Sequence, residues 1–417
     1  MSAVDDAASQ TARDLRDRRD LALVGRDRLL FENDLQRHAA ELDAGVRDRR
    51  FLVVGGAGSI GRAVVRELFK RQPAALHVVD LSENGLAELV RDLRSSLGYL
   101  AQGGDFQAYC FDALGPELAA LESAQSHTKP YDVVLNFSAL KHVRSEKDPL
   151  TLMRMLRVNL LVTSRTLELA RRCGATKYFC VSTDKAANPV SVMGASKSVM
   201  ESLLVHRGQG VPISTARFAN VLFSDGSLPD SWRRRQARGQ PLVAPRDVRR
   251  YFVVEREAGL LCLFSTLLGQ DREIFFPRLD PARHLVNFGD LLLRFLEAQG
   301  LEPREAASEN EARALAAERP EDAPWWPIHR FDSDTSGEKE QEEFFADGES
   351  VDLERFAEIG IVTNHPKVDR ETLDAFLTEL DRLLESRTWT QPQLLDLMHR
   401  TLPFAHRVEE RNLDQKM

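Results

Sequence analysis

FLVVGGAGSIG, at residues 51–61, is the stretch that decides the fold. A short apolar run is followed by three evenly spaced glycines, Gly55, Gly58 and Gly61, and then by an amphipathic stretch over residues 62–71. Glycines permit a tight turn between a strand and a helix, and they let a phosphate approach the backbone. The free N–H groups of the first helical turn can then bind that phosphate. The pattern predicts a strand, a phosphate-binding turn and a helix; a tight turn without a ligand is the alternative.

The next apolar run, LHVVD at residues 76–80, ends in an acid 19 positions after Gly61. A carboxylate at the end of a second strand can accept both ribose hydroxyls of NAD and would repel the additional phosphate of NADP. Asp80 is therefore predicted to bind NAD, with a carboxylate that merely ends a strand as the alternative. The GxxGxxG spacing is typical of short-chain dehydrogenases among dinucleotide-binding proteins.

Apolar runs and amphipathic stretches alternate along the chain up to about residue 220. The runs are FLVV (51–54), LHVVD (76–80), FQAYCF (106–111), YDVVLNF (131–137), KYFCVS (177–182) and PISTARF (212–218). This alternation predicts an α/β fold in which helices cover both faces of a doubly wound parallel sheet. We expect an N-terminal helical extension at 1–50, a Rossmann-type NAD-binding domain at 51–220, a substrate-binding region at 221–350 that partly returns to the sheet, and a C-terminal helical segment from 351 to 417.

The composition excludes several classes of protein. Of the 417 residues, 43% are hydrophobic and 29% are charged, as in ordinary globular proteins. The net charge of −8 argues against nucleic acid as a partner. The four cysteines form no CxxC pair, so neither a disulfide framework nor a metal site is predicted. No apolar run approaches the ~18 residues of a membrane span and the start is no signal peptide, so we expect a cytoplasmic protein.

A cluster of reactive side chains follows the fifth predicted strand, in CVSTDKAANPVSVMGASK at residues 180–197. Thr183, Asp184 and Lys185 place a hydroxyl, an acid and an amine in consecutive positions, at the edge of the sheet where ligands bind. An acid beside a base suits a reaction that moves protons at two neighbouring carbons. A solvated turn is the alternative reading of these three residues.

Lys197 follows Met193 by four residues, one turn along a predicted helix. In short-chain dehydrogenases this spacing belongs to a tyrosine and a lysine, where the lysine binds the nicotinamide ribose and lowers the pKa of the tyrosine. A thioether can neither accept nor give a proton. The usual mechanism therefore cannot operate unmodified in this chain.

Over roughly residues 22–400 the sequence resembles the extended short-chain dehydrogenase/reductase family of polysaccharide biosynthesis. That family includes UDP-N-acetylglucosamine 4,6-dehydratases and nucleotide-sugar epimerases. The blocks that carry the resemblance are VVGGAGSIG, VVDLSENGL, NFSALKHV, VSTDKAANPVSVMGASK, RFANVL, RRYFVV, GEKEQEEF and NHPKV. Long, membrane-anchored members of the family also have methionine at the tyrosine position. Together the blocks are specific for the family and less so for the reaction within it.

The resemblance implies two sets of binding residues. The dinucleotide NAD would be held by Gly55, Gly58, Ser59, Ile60, Gly61, Asp80, Ser82 and Asp112, with Ala139, Lys141 and Lys197 nearer the nicotinamide. The UDP-sugar substrate would contact Lys141, His142, Asn220, Arg250 and Glu338. Within these sets Asn220 and Arg250 resemble the residues that hold the UDP phosphates, which suits the charged, forked donors of arginine.

The resemblance also implies a reaction. C4 of the sugar would be oxidised by hydride transfer to NAD, Lys185 would remove the C5 proton, and Asp184 would protonate the departing 6-hydroxyl. The hydride would then return to C6, while Thr183 hydrogen-bonds the 4-hydroxyl. With Met193 in the tyrosine position, the base for the 4-hydroxyl must be another group, Lys185 or Asp184 through a water.

Two departures from the family pattern concern the substrate. Thr335-Ser336 stands where Arg-Pro usually precedes Gly-Glu-Lys, and Phe223-Ser224-Asp225 stands in a loop that usually reads Gly-Ser-Arg. The sugar and the nucleotide therefore stay open. The leading hypothesis is a UDP-N-acetylhexosamine 4,6-dehydratase. The alternatives are a 4-epimerase or another 4-keto-forming enzyme on a similar nucleotide sugar, and then a non-catalytic dinucleotide-binding protein. Because family members commonly form dimers or rings, a homo-oligomer is expected.

Overall fold

The computed structural model describes residues 17–97, 105–126, 130–333 and 342–405. Its strands are β1 (Arg50–Val54), β2 (Ala75–Asp80), β3 (Asp105–Cys110), β4 (Val133–Asn136), β5 (Lys177–Val181), β6 (Ile213–Ala216), β7 (Asn220–Val221), β8 (Leu242–Pro245), β9 (Arg249–Val253), β10 (Glu273–Pro277), β11 (Leu285–Asn287), β12 (Glu302–Glu305), β13 (Trp325–Phe331), β14 (Val351–Asp352) and β15 (Ile359–Thr363). Its α-helices are α1 (Glu32–Val46), α2 (Ser59–Lys70), α3 (Glu83–Leu97), α4 (Pro116–Ser126), α5 (Pro149–Leu156), α6 (Val162–Arg172), α7 (Val192–Arg207), α8 (Leu228–Gln236), α9 (Glu255–Leu268), α10 (Pro281–His284), α11 (Phe288–Glu297), α12 (Glu309–Glu318), α13 (Arg370–Ser386) and α14 (Gln391–Thr401).

The main sheet has the strand order β14-β15-β10-β6-β5-β4-β1-β2-β3. From β3 to β10 all neighbouring strands pair in parallel, whereas β15 pairs with β10 and β14 with β15 in antiparallel fashion. The order 3-2-1-4-5-6 is that of a doubly wound dinucleotide-binding fold, in which the chain reverses its direction of winding between β1 and β4. The predicted α/β fold with a doubly wound parallel sheet is confirmed.

Helices cover both faces of this sheet. On one face α1, α2 and α9 pack against the strands, and Leu42 and Val46 of α1 are completely buried there. On the other face α5, α6, α7, α13 and α14 form a second apolar layer. Strands buried on both faces read as continuous apolar runs, which is why they stand out in the sequence.

A second lobe lies beside the carboxyl ends of the strands and contains two three-stranded sheets, β11-β9-β7 and β12-β13-β8. Trp232, Phe295 and Trp326 lie in its apolar core. The indole nitrogen of Trp232 donates a hydrogen bond to the carbonyl of Val243 at 2.8 Å, so the polar N–H of this buried ring has an acceptor.

The structure departs from the sequence prediction in the last quarter of the chain. The segment expected to be helical from residue 351 begins with two strands, β14 and β15, and becomes helical only at Arg370. β15 reads IGIVT, a β-branched run that favours a strand, and it pairs with β10, so the expectation of helix was wrong for this stretch. The domain boundaries themselves stay predictions.

Within the described ranges, no helix is long and apolar enough to cross a membrane. The same part of the chain contains no group of three metal-binding side chains arranged to hold an ion.

Candidate functional site

The glycine turn lies between β1 and α2, and two of its glycines are sterically required. Gly55 has a φ of +76°, and a Cβ there would lie 2.7 Å from the amide nitrogen of Ser138. At Gly61 a Cβ would lie 2.3 Å from the carbonyl oxygen of Gly55. These close approaches pack the start of α2 tightly against the turn.

Gly58 plays a different part, because it borders open space. A Cβ at this position would meet only the carbonyl oxygen of Gly55, at 3.7 Å. Gly58 is the N-cap of α2 and provides no side-chain cap, so the first-turn N–H groups have no side-chain acceptor at the N-cap. Gly58 itself is exposed, so the turn leaves room beside the first N–H groups of α2, which fits the pyrophosphate of a dinucleotide.

Acidic residues stand at the end of β2 and two residues after the end of β3, at the same edge of the sheet. Asp80 accepts hydrogen bonds from the amides of Ala57 and Ser82, one on each carboxylate oxygen, both at 2.9 Å. Each oxygen keeps a further lone pair, so the carboxylate is oriented and still able to accept ribose hydroxyls. Asp112 accepts from the amide of Leu114 at 2.9 Å, and Arg154 lies 3.3 Å from its other oxygen. These residues also fit a dinucleotide.

Three other predicted cofactor contacts, Ser82, Ile60 and Ala139, lie in different parts of the first domain's structure. The hydroxyl of Ser82 accepts from the amide of Gly85 at 3.1 Å in the first turn of α3. Ile60 packs partly buried against the core. Ala139 is half-buried in the segment that follows β4.

A loop from the second lobe contacts the glycine turn. The Ser59 hydroxyl donates to the Asp225 carboxylate and accepts from the Asp225 amide, both at 2.9 Å. Next to it, a Cβ on Gly226 would lie 3.0 Å from Nε2 of His142. Asp225 also interacts electrostatically with Lys141. The loop that contains Asp225 therefore lies between Ser59, a predicted cofactor contact, and His142, a predicted substrate contact.

The reactive cluster lies at the carboxyl end of β5. The Thr183 hydroxyl donates a 2.8 Å hydrogen bond to Oδ1 of Asp184, which is only 7% exposed. Lys185 follows in a short 3₁₀ turn, Asp184–Ala186. Gly194 of α7 lets this turn lie close to the helix, since a Cβ there would be 2.6 Å from the carbonyl oxygen of Lys185. The predicted hydroxyl, acid and amine are thus brought together on one fixed turn.

A buried ion network supports that turn, and sequence reasoning gave it no role. The Ser182 hydroxyl donates to Glu201 at 2.6 Å, and Glu201 receives two hydrogen bonds from Arg217 at 3.0 and 2.7 Å. Arg217 also bonds Glu349 and the carbonyl of Phe344. The only local signal in the sequence is that Glu201 is a charged residue one turn after Lys197 in α7.

Met193 and Lys197 are both buried in α7, each 3% exposed. The Met193 amide donates to the Glu146 carboxylate at 2.9 Å. The Lys197 amine donates to the carbonyl of Val181 at 3.0 Å. Burial lowers the pKa of Lys197, and nearby Cys180 and Glu201 oppose that shift.

A π-helical turn, Arg157–Leu161, places another polar side chain that sequence reasoning missed. Asn159 is completely buried and donates to the Ser196 hydroxyl at 2.9 Å. It also bonds both the amide and the carbonyl of Leu140, at 3.0 and 3.2 Å. Asn159 therefore ties the segment containing Ala139 and Lys141 to α7. Such π turns often occur at functional sites.

Asn220 and Arg250, the predicted phosphate contacts, meet a glutamate instead of facing open space. The Asn220 side-chain amide donates to Oε1 of Glu342 at 2.5 Å, and Nε of Arg250 lies 3.7 Å from the same oxygen. Burial and the neighbouring Asp184 raise the pKa of Glu342 to about 7, although Arg250 opposes that shift. Glu338, predicted from the same GEKEQEEF block, lies outside the described residues.

Comparisons with known proteins agree on the family and on the fold. A family model described as polysaccharide biosynthesis protein matches residues 51–320, well over half of the chain. The capsular polysaccharide biosynthesis protein CapD of Staphylococcus aureus is 28% identical over 66% of this chain and 47% of its own length. The chain thus spans about half the length of that relative.

Two groups of enzymes are among the relatives. An inverting UDP-N-acetylglucosamine 4,6-dehydratase of Campylobacter jejuni is 25% identical over 58% of this chain and 71% of its own length. A UDP-glucose 4-epimerase of Rickettsia prowazekii is 25% identical over 55% of this chain and 65% of its own. The chain is therefore similar to nucleotide-sugar dehydratases and epimerases.

Among solved structures, a dTDP-glucose 4,6-dehydratase from Streptomyces venezuelae, with NAD bound, has a TM-score of 0.51 and 18% identity. The match covers 82% of this chain and 99% of that one. This likeness shows that the two chains share a fold.

Proposed function

This chain belongs to the polysaccharide biosynthesis protein family, and from that premise we propose that it is an NAD-dependent 4,6-dehydratase of a UDP-N-acetylhexosamine. The similarity to a UDP-N-acetylglucosamine 4,6-dehydratase supports this substrate and reaction. A homo-oligomer is part of the proposal, because related enzymes commonly self-associate.

The observation that carries the proposal is the arrangement of Thr183, Asp184 and Lys185. Elimination of water needs a base at C5 and an acid at the 6-hydroxyl, whereas exchange of configuration at C4 alone needs neither. The turn holds an amine and a carboxyl in consecutive positions, with the carboxyl fixed by the Thr183 hydroxyl at 2.8 Å. Both required groups are present where the sheet's carboxyl edge binds ligands.

The cofactor proposal depends on the open turn at Gly58 and on the two strand-end carboxylates. Gly58 and the first turn of α2 would hold the pyrophosphate, Asp80 the adenosine ribose and Asp112 the adenine. A free carboxylate at the ribose favours NAD over NADP, since it would repel a 2′-phosphate. When bound, NAD supplies a hydride acceptor at C4 and a hydride donor at C6.

The chain's own residues would perform the proton transfers. Thr183 would hydrogen-bond the 4-hydroxyl, whose proton would pass through a water to Asp184. Asp184 would then give a proton to the departing 6-hydroxyl oxygen, which leaves as water. Lys185 would take the proton from C5 and return it to C5 when C6 receives the hydride. Asn220 and Arg250 would hold the diphosphate. Met193 takes no proton, because a thioether cannot.

The test is to incubate the purified protein with UDP-N-acetylglucosamine and catalytic NAD and to follow the sugar by mass spectrometry and NMR. The expected product has lost one water, and Lys185→Ala is expected to abolish its formation. Arg382→Ala, which removes an exposed cation from α13, serves as the control. Unchanged mass with a new C4 configuration would favour the epimerase, and an untouched sugar would exclude this substrate. Turnover by Lys185→Ala would refute the elimination role.

A further inference from the structure

We propose that Lys367 is a positioning residue that acts through Lys185: it holds the carboxyl end of the reactive turn, Asp184–Ala186, and so fixes where Lys185 meets the C5 proton. This inference rests on the proposed dehydratase function. Lys367 belongs to the NHPKV block at residues 364–368, which is not among the predicted cofactor, substrate or catalytic residues.

The ammonium group of Lys367 bonds directly to the main chain of the reactive turn. Its Nζ donates to the carbonyl of Ala186 at 3.1 Å and also to the carbonyl of Ala187. Ala186 is the last residue of the turn, Ala187 caps it, and both residues are buried. The last carbonyl groups of a helical turn have no partner within the turn, so a lysine placed there satisfies and orients them.

The amino end of the turn is held by a local residue. The Thr183 hydroxyl accepts a hydrogen bond from the amide of Lys185 at 3.4 Å, and the Thr183 carbonyl accepts from the amide of Ala186 at 3.1 Å. Lys185 lies between the end held by Thr183 and the end held by Lys367. The position of its amine therefore depends on both contacts, and one of them comes from a segment 180 positions away from Ala187.

The segment that carries Lys367 is itself fixed on α7. The Asn364 side-chain amide donates to the carbonyl of Glu201 at 3.0 Å, and the backbone N–H of Lys367 donates to the Ser202 hydroxyl at 3.0 Å. The same helix touches the reactive turn through Gly194, where a Cβ would lie 2.6 Å from the carbonyl oxygen of Lys185. Lys367 therefore bridges α7 and the turn, and it sets the distance between them at the carboxyl end.

Lys367 lies at the surface, which separates its effect on the turn from an effect on the fold. The residue is exposed, whereas Asp184 is 7% exposed. Replacing an exposed lysine with methionine opens no cavity in the core and keeps most of the length of the side chain. The hydrogen bonds to Ala186 and Ala187 are lost, so the carboxyl end of the turn loosens. A catalytic group that is slightly misplaced loses rate more than binding.

The test compares Lys367→Met with Arg370→Met in the full-length protein with NAD and UDP-N-acetylglucosamine. Arg370 is also an exposed cation that donates to a main-chain carbonyl, that of His206 at 2.8 Å, but at the far end of α7. We expect Lys367→Met to lower kcat about tenfold, because the base is misplaced. The KM for the sugar, the NAD affinity in calorimetric titration and the melting temperature should stay near the wild-type values. Lys367→Arg should recover most of the rate, and Arg370→Met should match the wild type.

A wild-type kcat in Lys367→Met would overturn the inference. So would a fall in kcat accompanied by an equal loss of NAD affinity or by a lower melting temperature, which a merely structural role would cause. If the wild-type protein does not dehydrate the sugar, the proposed function fails, and the contact is tested by itself by hydrogen–deuterium exchange in the protein without cofactor or substrate.

The amides of Ala186 and Ala187 report on the turn in that experiment, because they donate to the carbonyls of Thr183 and Asp184, both at 3.1 Å. Lys367→Met should speed their exchange relative to both the wild type and Arg370→Met. Equal exchange in all three proteins would overturn the inference.

Discussion

Replacing Arg217 with methionine is expected to lower the free energy of unfolding by about 4 kcal/mol at pH 7. The guanidinium is 0% exposed and bonds both Glu201 and Glu349, whose side chains are 3% and 9% exposed. Methionine has a similar length, so the change removes the cation without leaving a large cavity.

The magnitude follows from what the substitution leaves behind. Removing one partner of a buried ion pair typically costs about 3–5 kcal/mol, because the remaining charge is left uncompensated. Here two carboxylates and the Phe344 carbonyl lose their donor together. The double variant Arg217→Met with Glu201→Gln carries one unpaired charge fewer, so it should recover about 1–2 kcal/mol of the loss.

Urea denaturation followed by circular dichroism measures both variants, with Arg382→Met as the matched control. Arg382 pairs with Glu379 at 2.6 Å on the exposed face of α13, and removing it should cause no resolvable change. A loss for Arg217→Met no larger than that of Arg382→Met would refute the idea that the network supports the reactive turn. A double variant less stable than the single one would refute the unpaired-charge explanation.

Three further substitutions test the glycine turn and a buried carboxylate. Gly61→Ala would place a Cβ 2.3 Å from the Gly55 carbonyl, so both the melting temperature and NAD affinity should fall, as thermal unfolding and calorimetric titration would show. At Gly58 an added Cβ would point into open space, so Gly58→Ala should weaken NAD binding and leave the melting temperature nearly unchanged. An equal fall in melting temperature in the two variants would contradict this steric explanation. Lys70 and Arg71 hold the pKa of Glu67 at about 2 although burial alone would raise it. Since its unfolded pKa is about 4.3, Glu67 should contribute roughly 3 kcal/mol above pH 5, lost as the pH falls from there toward 2. Acid titration of Glu67→Gln against the wild type measures that difference.

The sequence predicts the fold well wherever local rules decide the structure. The glycine turn and Asp80 follow from spacing, because glycine adopts the φ of +76° at Gly55 without strain and leaves room for the close contact at Gly61. Predicted and observed strands agree within two or three residues because buried parallel strands are continuously apolar. The prediction was wrong at β15. IGIVT pairs antiparallel with β10, although that segment was expected to be helical.

Contacts between distant residues could not be predicted in this way. Arg217 and Glu349 are 132 positions apart, and Ser59 and Asp225 are 166 positions apart. Nothing local in GEKEQEEF distinguishes Glu342, which accepts a hydrogen bond from Asn220, from the other glutamates of that block. Fixed by tertiary packing, such pairs become visible only in three dimensions.

Met193 shows why these distant contacts matter for function. Its side chain is buried and its amide is held by Glu146, so this position offers the site no proton. Lys197 bonds the carbonyl of Val181 and has no tyrosine to activate. Proton transfer in the proposed reaction must therefore come from the turn at Thr183, Asp184 and Lys185.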